Sequence, residues 1–133
     1  MSTPESRPEI DDDVIELAGM VFDAARAGDT EGIRYYLDAG VPVNLTNGSG
    51  DNLLMLASYH GHAELTALLV ERGADVNTQN DRGQTPLAGA AFKGYVEIFR
   101  LLAEAGADPD AGSPTGRDTA GFFKRQEMLD LLG

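Results

Sequence analysis

Apolar and polar positions recur along the chain with the spacing of short helices. Leu65, Leu68 and Leu69 follow the i, i+3, i+4 pattern, which places side chains on one face of a helix. The same pattern returns at Ile98 in the following part of the chain. Stretches rich in Gly, Asn and Asp separate these segments and are typical of turns. The pattern predicts an all-α chain of short helices joined by turns.

A period of 33 residues relates these segments. Three sets of glycines align at this shift: Gly28, Gly61, Gly94; Gly40, Gly73, Gly106; and Gly50, Gly83, Gly116. The first two sets follow apolar segments, where a left-handed glycine commonly ends a helix. The third set lies in turn-rich stretches that suit the tips of projecting turns. The period indicates internal repeats, each predicted to be a helix, a tight turn, a second helix and an extended turn.

Residues 81–108 resemble one complete ankyrin repeat, since Thr85-Pro86-Leu87 opens a helix and Ala105-Gly106-Ala107-Asp108 closes the unit. Residues 47–79 resemble a second repeat, in which Asn52 and Leu53 replace the Thr-Pro pair. The resemblance implies an all-α ankyrin-repeat solenoid of about four helix-turn-helix repeats joined by β-turn fingers. The repeats are expected at about 12–46, 47–79, 80–112 and 113–133, after a flexible tail over residues 1–11. Asp11 to Asp13 are expected at the positive end of the first helix dipole.

Composition narrows the classes of function. The chain has 22 acidic and 10 basic residues and a formal net charge of −12, so nucleic acids and anionic membranes are disfavoured as partners. It has no Cys, which excludes disulfides and thiolate metal sites. No secretory signal or membrane-spanning run is apparent, and a cytoplasmic protein is expected.

Residues for catalysis or metal binding are scarce. The two histidines, His60 and His62, flank a helix-ending glycine, and no Ser-His-acid pattern, phosphate-binding loop or calcium loop is present. His62 matches the turn histidine of the ankyrin pattern, a structural role. We therefore expect no enzymatic activity, no cofactor and no metal.

The resemblance also implies a concave surface, made by the fingers and the first helix of each repeat, on which a partner protein docks. Carrying the 33-residue period through all four repeats predicts the partner-binding residues Arg26, Ser49, Asp51, Tyr59, His60, Asp81, Arg82, Gln84, Phe92, Lys93, Thr115, Arg117 and Arg125. This set holds five of the ten basic residues but only two of the 22 acidic ones. Tyr59 and Phe92 occupy one position in successive repeats and are the predicted anchors, since aromatic residues are frequent interface hot spots.

These observations predict a monomeric protein-interaction module whose partner is another protein with an acidic or mixed-charge surface. Three alternatives remain open: an accessory or regulatory subunit of one enzyme, for example a stress-defence enzyme, an inhibitor-like blocker, and an enzyme or metal binder. The anchors also have a plainer interpretation, in which Phe92 is partly packed core and the arginines only increase solubility.

Overall fold

The computed structural model describes residues 6–133, and the side chains from Asp13 onward. Within these residues the chain forms helices in consecutive pairs: α1 (Ser6–Ala27) and α2 (Thr30–Asp38), α3 (Leu53–Tyr59) and α4 (Ala63–Glu71), α5 (Pro86–Lys93) and α6 (Val96–Glu104), α7 (Gly116–Phe122) and α8 (Gln126–Leu131). The described part contains no β-strand, and its one isolated β-bridge joins Thr46 to Asn52 at the base of a turn. The predicted all-α solenoid is confirmed.

Short polar side chains set the starts of the first helices. Asn52 accepts a hydrogen bond from the Met55 amide at 2.8 Å, and Thr85 accepts one from the Ala88 amide at 3.1 Å. Each bond satisfies a backbone donor that the first turn of a helix leaves without a partner. Pro86 follows Thr85 at the first helical position, where its missing N–H is not needed.

The helices stack in two layers. The first helices contact one another in the order α1, α3, α5, α7, and the second helices in the order α2, α4, α6, α8. The core lies between the layers, and the inner layer is closely packed because Ala57, Ala90 and Ala120 are fully buried in it.

Most of the predicted core residues are buried. Ala24, Leu37 and Leu101 are only partly buried, because they lie at the edge of the core and pack against it from outside. The periodicity did not single out Phe99, which is completely buried.

The amino-terminal boundary differs from the prediction. Helix α1 begins at Ser6, so residues 6–11, expected in a flexible tail, are helical, and residues 1–5 lie outside the described part. Pro8 does not stop the helix because it lies in the first turn. Asp11 to Asp13 therefore lie within the helix rather than at the positive end of its dipole.

The fourth repeat follows the third at a shift of 30 residues, not 33. Thr115 caps α7 as Thr85 caps α5, and Ala120 is buried as Ala90 is. The connection between the two repeats is three residues shorter than the period predicts. Gly116 is consequently the first residue of α7, packed close to Leu87, and not the tip of a finger.

Side chains at the start of each second helix reach back to the preceding repeat. His62, Tyr95 and Arg125 occupy this position before α4, α6 and α8. His62 Nε2 donates to the carbonyl oxygen of Arg26 at 2.6 Å, which agrees with the structural role predicted for this histidine. These side chains lie against the glycines that end the preceding first helices, so the turns interlock along the stack.

Candidate partner-binding groove

A groove of about 590 Å³ lies on the inner face of the stack, between the finger turns and helices α3 and α5. Eight of the predicted partner-binding residues line it: Arg26, Ser49, Asp51, Tyr59, His60, Arg82, Gln84 and Phe92. We call this surface the concave groove. Its walls also include Met55, Leu56 and Ala88, so the surface that it offers is mixed apolar and polar.

Two asparagines, not predicted as site residues, build the finger side of the concave groove. Asn47 Oδ1 accepts from the amides of Ser49 and Asp51, at 2.9 and 3.0 Å. Asn80 Oδ1 accepts in the same way from the amides of Arg82 and Gln84. The 33-residue spacing of the two asparagines was a signal that could have identified them.

Neighbouring fingers are also bonded to each other. The Asp81 amide donates to the Ser49 carbonyl at 3.0 Å, and Asn80 Nδ2 donates to Asp51 Oδ1 at 2.9 Å. Asn80 Nδ2 also donates to Gln84 Oε1 at 2.7 Å. The Asp51 and Gln84 side chains thus hold the fingers in place as well as lining the groove.

The predicted anchors are accessible from the inner face. Phe92 is 50% exposed, and Tyr59 is also exposed. Lys93 lies outside the groove lining, but its Nζ is 4.9 Å from the centroid of the Tyr59 ring, within cation–π range. Phe92 therefore presents much of its ring to solvent instead of forming part of the core.

The aromatic surface extends into the fourth repeat. Phe92 and Phe123 meet edge to face with ring centroids 5.6 Å apart, and Phe123 meets Phe122 at 5.0 Å. Phe122 is 79% exposed. We call Tyr59, Phe92, Phe122 and Phe123 the aromatic row.

Sequence reasoning missed Phe122 and Phe123 because the unbroken period placed Arg125 at the position of Phe92. The observed shift of 30 residues places Phe122 there instead. The spacing of Thr85 to Thr115 and of Ala90 to Ala120 carries this shift in the sequence and could have revealed it.

The structure does not bring five of the predicted residues into the groove lining: Asp81, Lys93, Thr115, Arg117 and Arg125. Thr115 caps α7 by accepting from the Asp118 amide at 2.9 Å. Arg125 donates to backbone carbonyls of α5. Arg117 pairs with Asp110 at 2.9 Å, and this hydrogen bond lowers the pKa of the Asp110 carboxyl and raises the pKa of Arg117.

The charge of the concave groove comes from Arg26, Arg82, Asp51 and His60. Arg82 forms no ion pair with any described residue, and Arg26 pairs with Asp23 at an exposed site. Partial burial lowers the pKa of His60 below 6.5, and the nearby charges of His62, Lys93 and Arg26 lower it further. At neutral pH His60 is therefore uncharged, and the groove is slightly positive on an acidic molecule.

Two further searches covered only the described part of the chain. No three His, Asp or Glu side chains among residues 13–133 are grouped closely enough to hold a metal ion. None of the helices from Ser6 onward combines the length and the apolar character that crossing a membrane requires.

Comparisons with known proteins agree with the architecture. The family model for ankyrin repeats, in three copies, matches residues 21–113, which is more than half of the chain. The chain is also similar to an ankyrin repeat protein of Pseudomonas aeruginosa, with 47% identity over 66 residues, which cover 50% of this chain and 39% of that relative. The chain thus spans well under two thirds of the relative's length. Ankyrin repeats are general protein-interaction modules, and this chain belongs to the ankyrin-repeat family.

Proposed function

We propose that the protein is a non-enzymatic interaction module that binds another protein in the concave groove. The observation that carries this proposal is the pairing of exposed aromatic rings, Tyr59 and Phe92, with Arg82, which has no ion-pair partner among the described residues. Aromatic and Arg side chains supply large contact areas and directional hydrogen bonds, and they dominate the energy of many interfaces.

The proposed partner surface is acidic or of mixed charge. Arg26 and Arg82 are the cations of the groove, while Asp51 already accepts a hydrogen bond from Asn80. A carboxylate of the partner can therefore pair with either arginine without displacing an internal ion pair of Arg82. Because steering by exposed charges is screened by salt, added salt should weaken the complex.

The test is affinity purification from the native source on the immobilised full-length chain, with mass spectrometry of the proteins retained. Phe92→Ala removes the exposed ring, and Arg82→Glu reverses the unpaired charge. Both variants should lose the partner that the unaltered chain retains.

Matched controls come from the outer layer of the stack. Tyr35 is an exposed aromatic residue of α2, and Arg34 lies beside it, so Tyr35→Ala and Arg34→Glu make the same chemical changes away from the groove. Circular dichroism establishes that all four variants are folded. Recovery of the partner by folded Phe92→Ala and Arg82→Glu at the level of the controls would overturn the proposal.

A further inference from the structure

Helix α1 is much longer than the helices that cover it. It has 22 residues, whereas α2 has 9 and α3 has 7. At 1.5 Å per residue, α1 is about 33 Å long, and α2 and α3 are about 14 and about 11 Å long. The amino-terminal half of α1 therefore projects beyond its neighbours.

The apolar face of α1 continues into this projecting half. Val21, Phe22 and Ala25 are buried against the stack. Val14 and Leu17 precede Val21 by seven and four residues and so lie on the same face, yet Val14 is 56% exposed and Leu17 is also exposed. Ile15 and Met20 flank this face and are exposed as well. The face that forms the core in one half of the helix is uncovered in the other half.

A bare helix of this kind gains little stability from its own sequence. Helical segments of a few turns are marginal in water without tertiary packing. Gly19 lies within the segment and lowers helix propensity by about 1 kcal/mol relative to Ala. A continuous apolar face is instead typical of a helix that packs against another surface.

Charge distinguishes the surfaces that could cover it. Residues 6–20 contain five acidic side chains and one basic side chain. Two α1 helices packed on each other would bring these acidic residues together, which is unfavourable. The covering surface should therefore be apolar and not acidic.

This chain carries such a surface. The large hydrophobic residues exposed outside α1 are Tyr35 and the four members of the aromatic row. The aromatic row and the concave groove are accompanied by Arg26, Arg82 and Lys93, and exposed Lys124 follows Phe123 directly. The two largest uncovered apolar surfaces of the molecule thus have opposite charge.

We propose that the projecting half of α1 from one copy docks on the concave groove and aromatic row of a second copy. Docking of an amphipathic helix in an apolar groove is a common mode of recognition, and here its apolar face would meet the rings while its carboxylates meet the arginines and lysines. The contact joins two different surfaces, so association is head to tail and can continue beyond a dimer. The inference rests on the groove of the proposed function, for which the second copy competes with the partner.

Sedimentation velocity of the full-length chain over a range of concentrations tests this contact with two complementary variants. The helix variant, Val14→Asp with Leu17→Asp, alters the projecting half of α1. The groove variant, Phe92→Ser with Phe122→Ser, alters the aromatic row. The unaltered chain should increase in mean mass with concentration, to twice the monomer mass or more, and each variant alone should remain at the monomer mass.

An equimolar mixture of the two variants is the decisive sample. The helix variant keeps an intact groove and the groove variant keeps an intact helix, so the mixture should form dimers of one copy of each, and nothing larger. Tyr35→Ser, a change of an exposed ring elsewhere, should associate like the unaltered chain. If the double groove variant is poorly folded by circular dichroism, Phe122→Ser alone replaces it, since that ring is 79% exposed.

Three results would overturn the proposal. The unaltered chain could remain monomeric at every concentration. Association could be lost in the helix variant but kept in the groove variant, which indicates α1 pairing with α1. The mixture could also fail to form dimers although the unaltered chain associates. The helix variant separates this proposal from the proposed function, because it should still retain the partner protein in the affinity experiment.

Discussion

Arg125 Nε donates a hydrogen bond to the carbonyl oxygen of Ala91 at 2.6 Å, across the boundary between the third and fourth repeats. Its second guanidinium nitrogen donates to the Phe92 carbonyl at 3.2 Å. These carbonyls lie in the last turn of α5, where the helix leaves acceptors without internal partners. The side chain predicted to bind a partner therefore attaches the last repeat to the stack and supports the backbone beneath Phe92.

Replacing Arg125 with Ala should destabilise the protein by roughly 1–3 kcal/mol, because hydrogen bonds from a charged donor to two backbone acceptors are lost. Urea unfolding monitored by circular dichroism measures the change. Arg117→Ala is the matched control, since its pair with Asp110 is solvent-exposed and should contribute much less. An equal effect of the two substitutions would contradict the role assigned to Arg125.

Gly94→Ala should destabilise the protein more than Gly73→Ala. Both glycines have positive φ, of 80° and 90°, so both substitutions incur the cost of a left-handed alanine, about 1–2 kcal/mol. An added Cβ at Gly94 would also lie 3.1 Å from Arg125 Cζ, whereas at Gly73 it would meet nothing within 4 Å. Thermal unfolding of the two variants isolates the contact between repeats. Equal midpoints would mean that Arg125 moves aside without loss.

Ala90→Leu should destabilise the protein by roughly 1–3 kcal/mol through overpacking. Ala90 is fully buried in α5, which packs between α3 and α7, so the longer side chain has no free space. Ala67 on α4 is exposed, and Ala67→Leu should change the stability by less than about 0.5 kcal/mol. Thermal unfolding provides the comparison, and unchanged stability of Ala90→Leu would refute the predicted close approach of the first helices.

His60 should make the stability depend on pH. Its pKa is lowered in the folded protein, first by partial burial, whereas the unfolded chain has the ordinary value of 6.5. As the pH falls below 6.5 the unfolded state binds a proton more readily than the folded state does, so stability is lost in that range. The loss should be smaller in His60→Gln. Chemical denaturation at pH values on both sides of 6.5 tests this, and NMR titration of the His60 ring checks the direction of the pKa shift directly.

How far the sequence predicts the candidate site depends on how local the responsible interaction is. Tyr59 and Phe92 could be placed on the inner face because caps and helix-ending glycines act within a few residues and recur at one period. The same period failed between Thr85 and Thr115, where the connecting turn is three residues shorter, and the error transferred the site from Phe122 to Arg125. The start of α1 was also misplaced, because no single residue between Ser6 and Asp12 marks a boundary.

The sequence by itself determined that this chain is an all-α ankyrin-repeat solenoid, since helix periodicity, N-caps and turn glycines are set by neighbouring residues. Only the tertiary structure decided which polar side chains are engaged within the molecule. Arg125 and Asp51 find their partners in an adjacent repeat or finger, across 34 and 29 positions of the chain. It alone also decided that Val14 and Leu17 are uncovered while Val21 is buried. An apolar pattern specifies the face of a helix, but whether that face is covered depends on the lengths of the helices packed beside it.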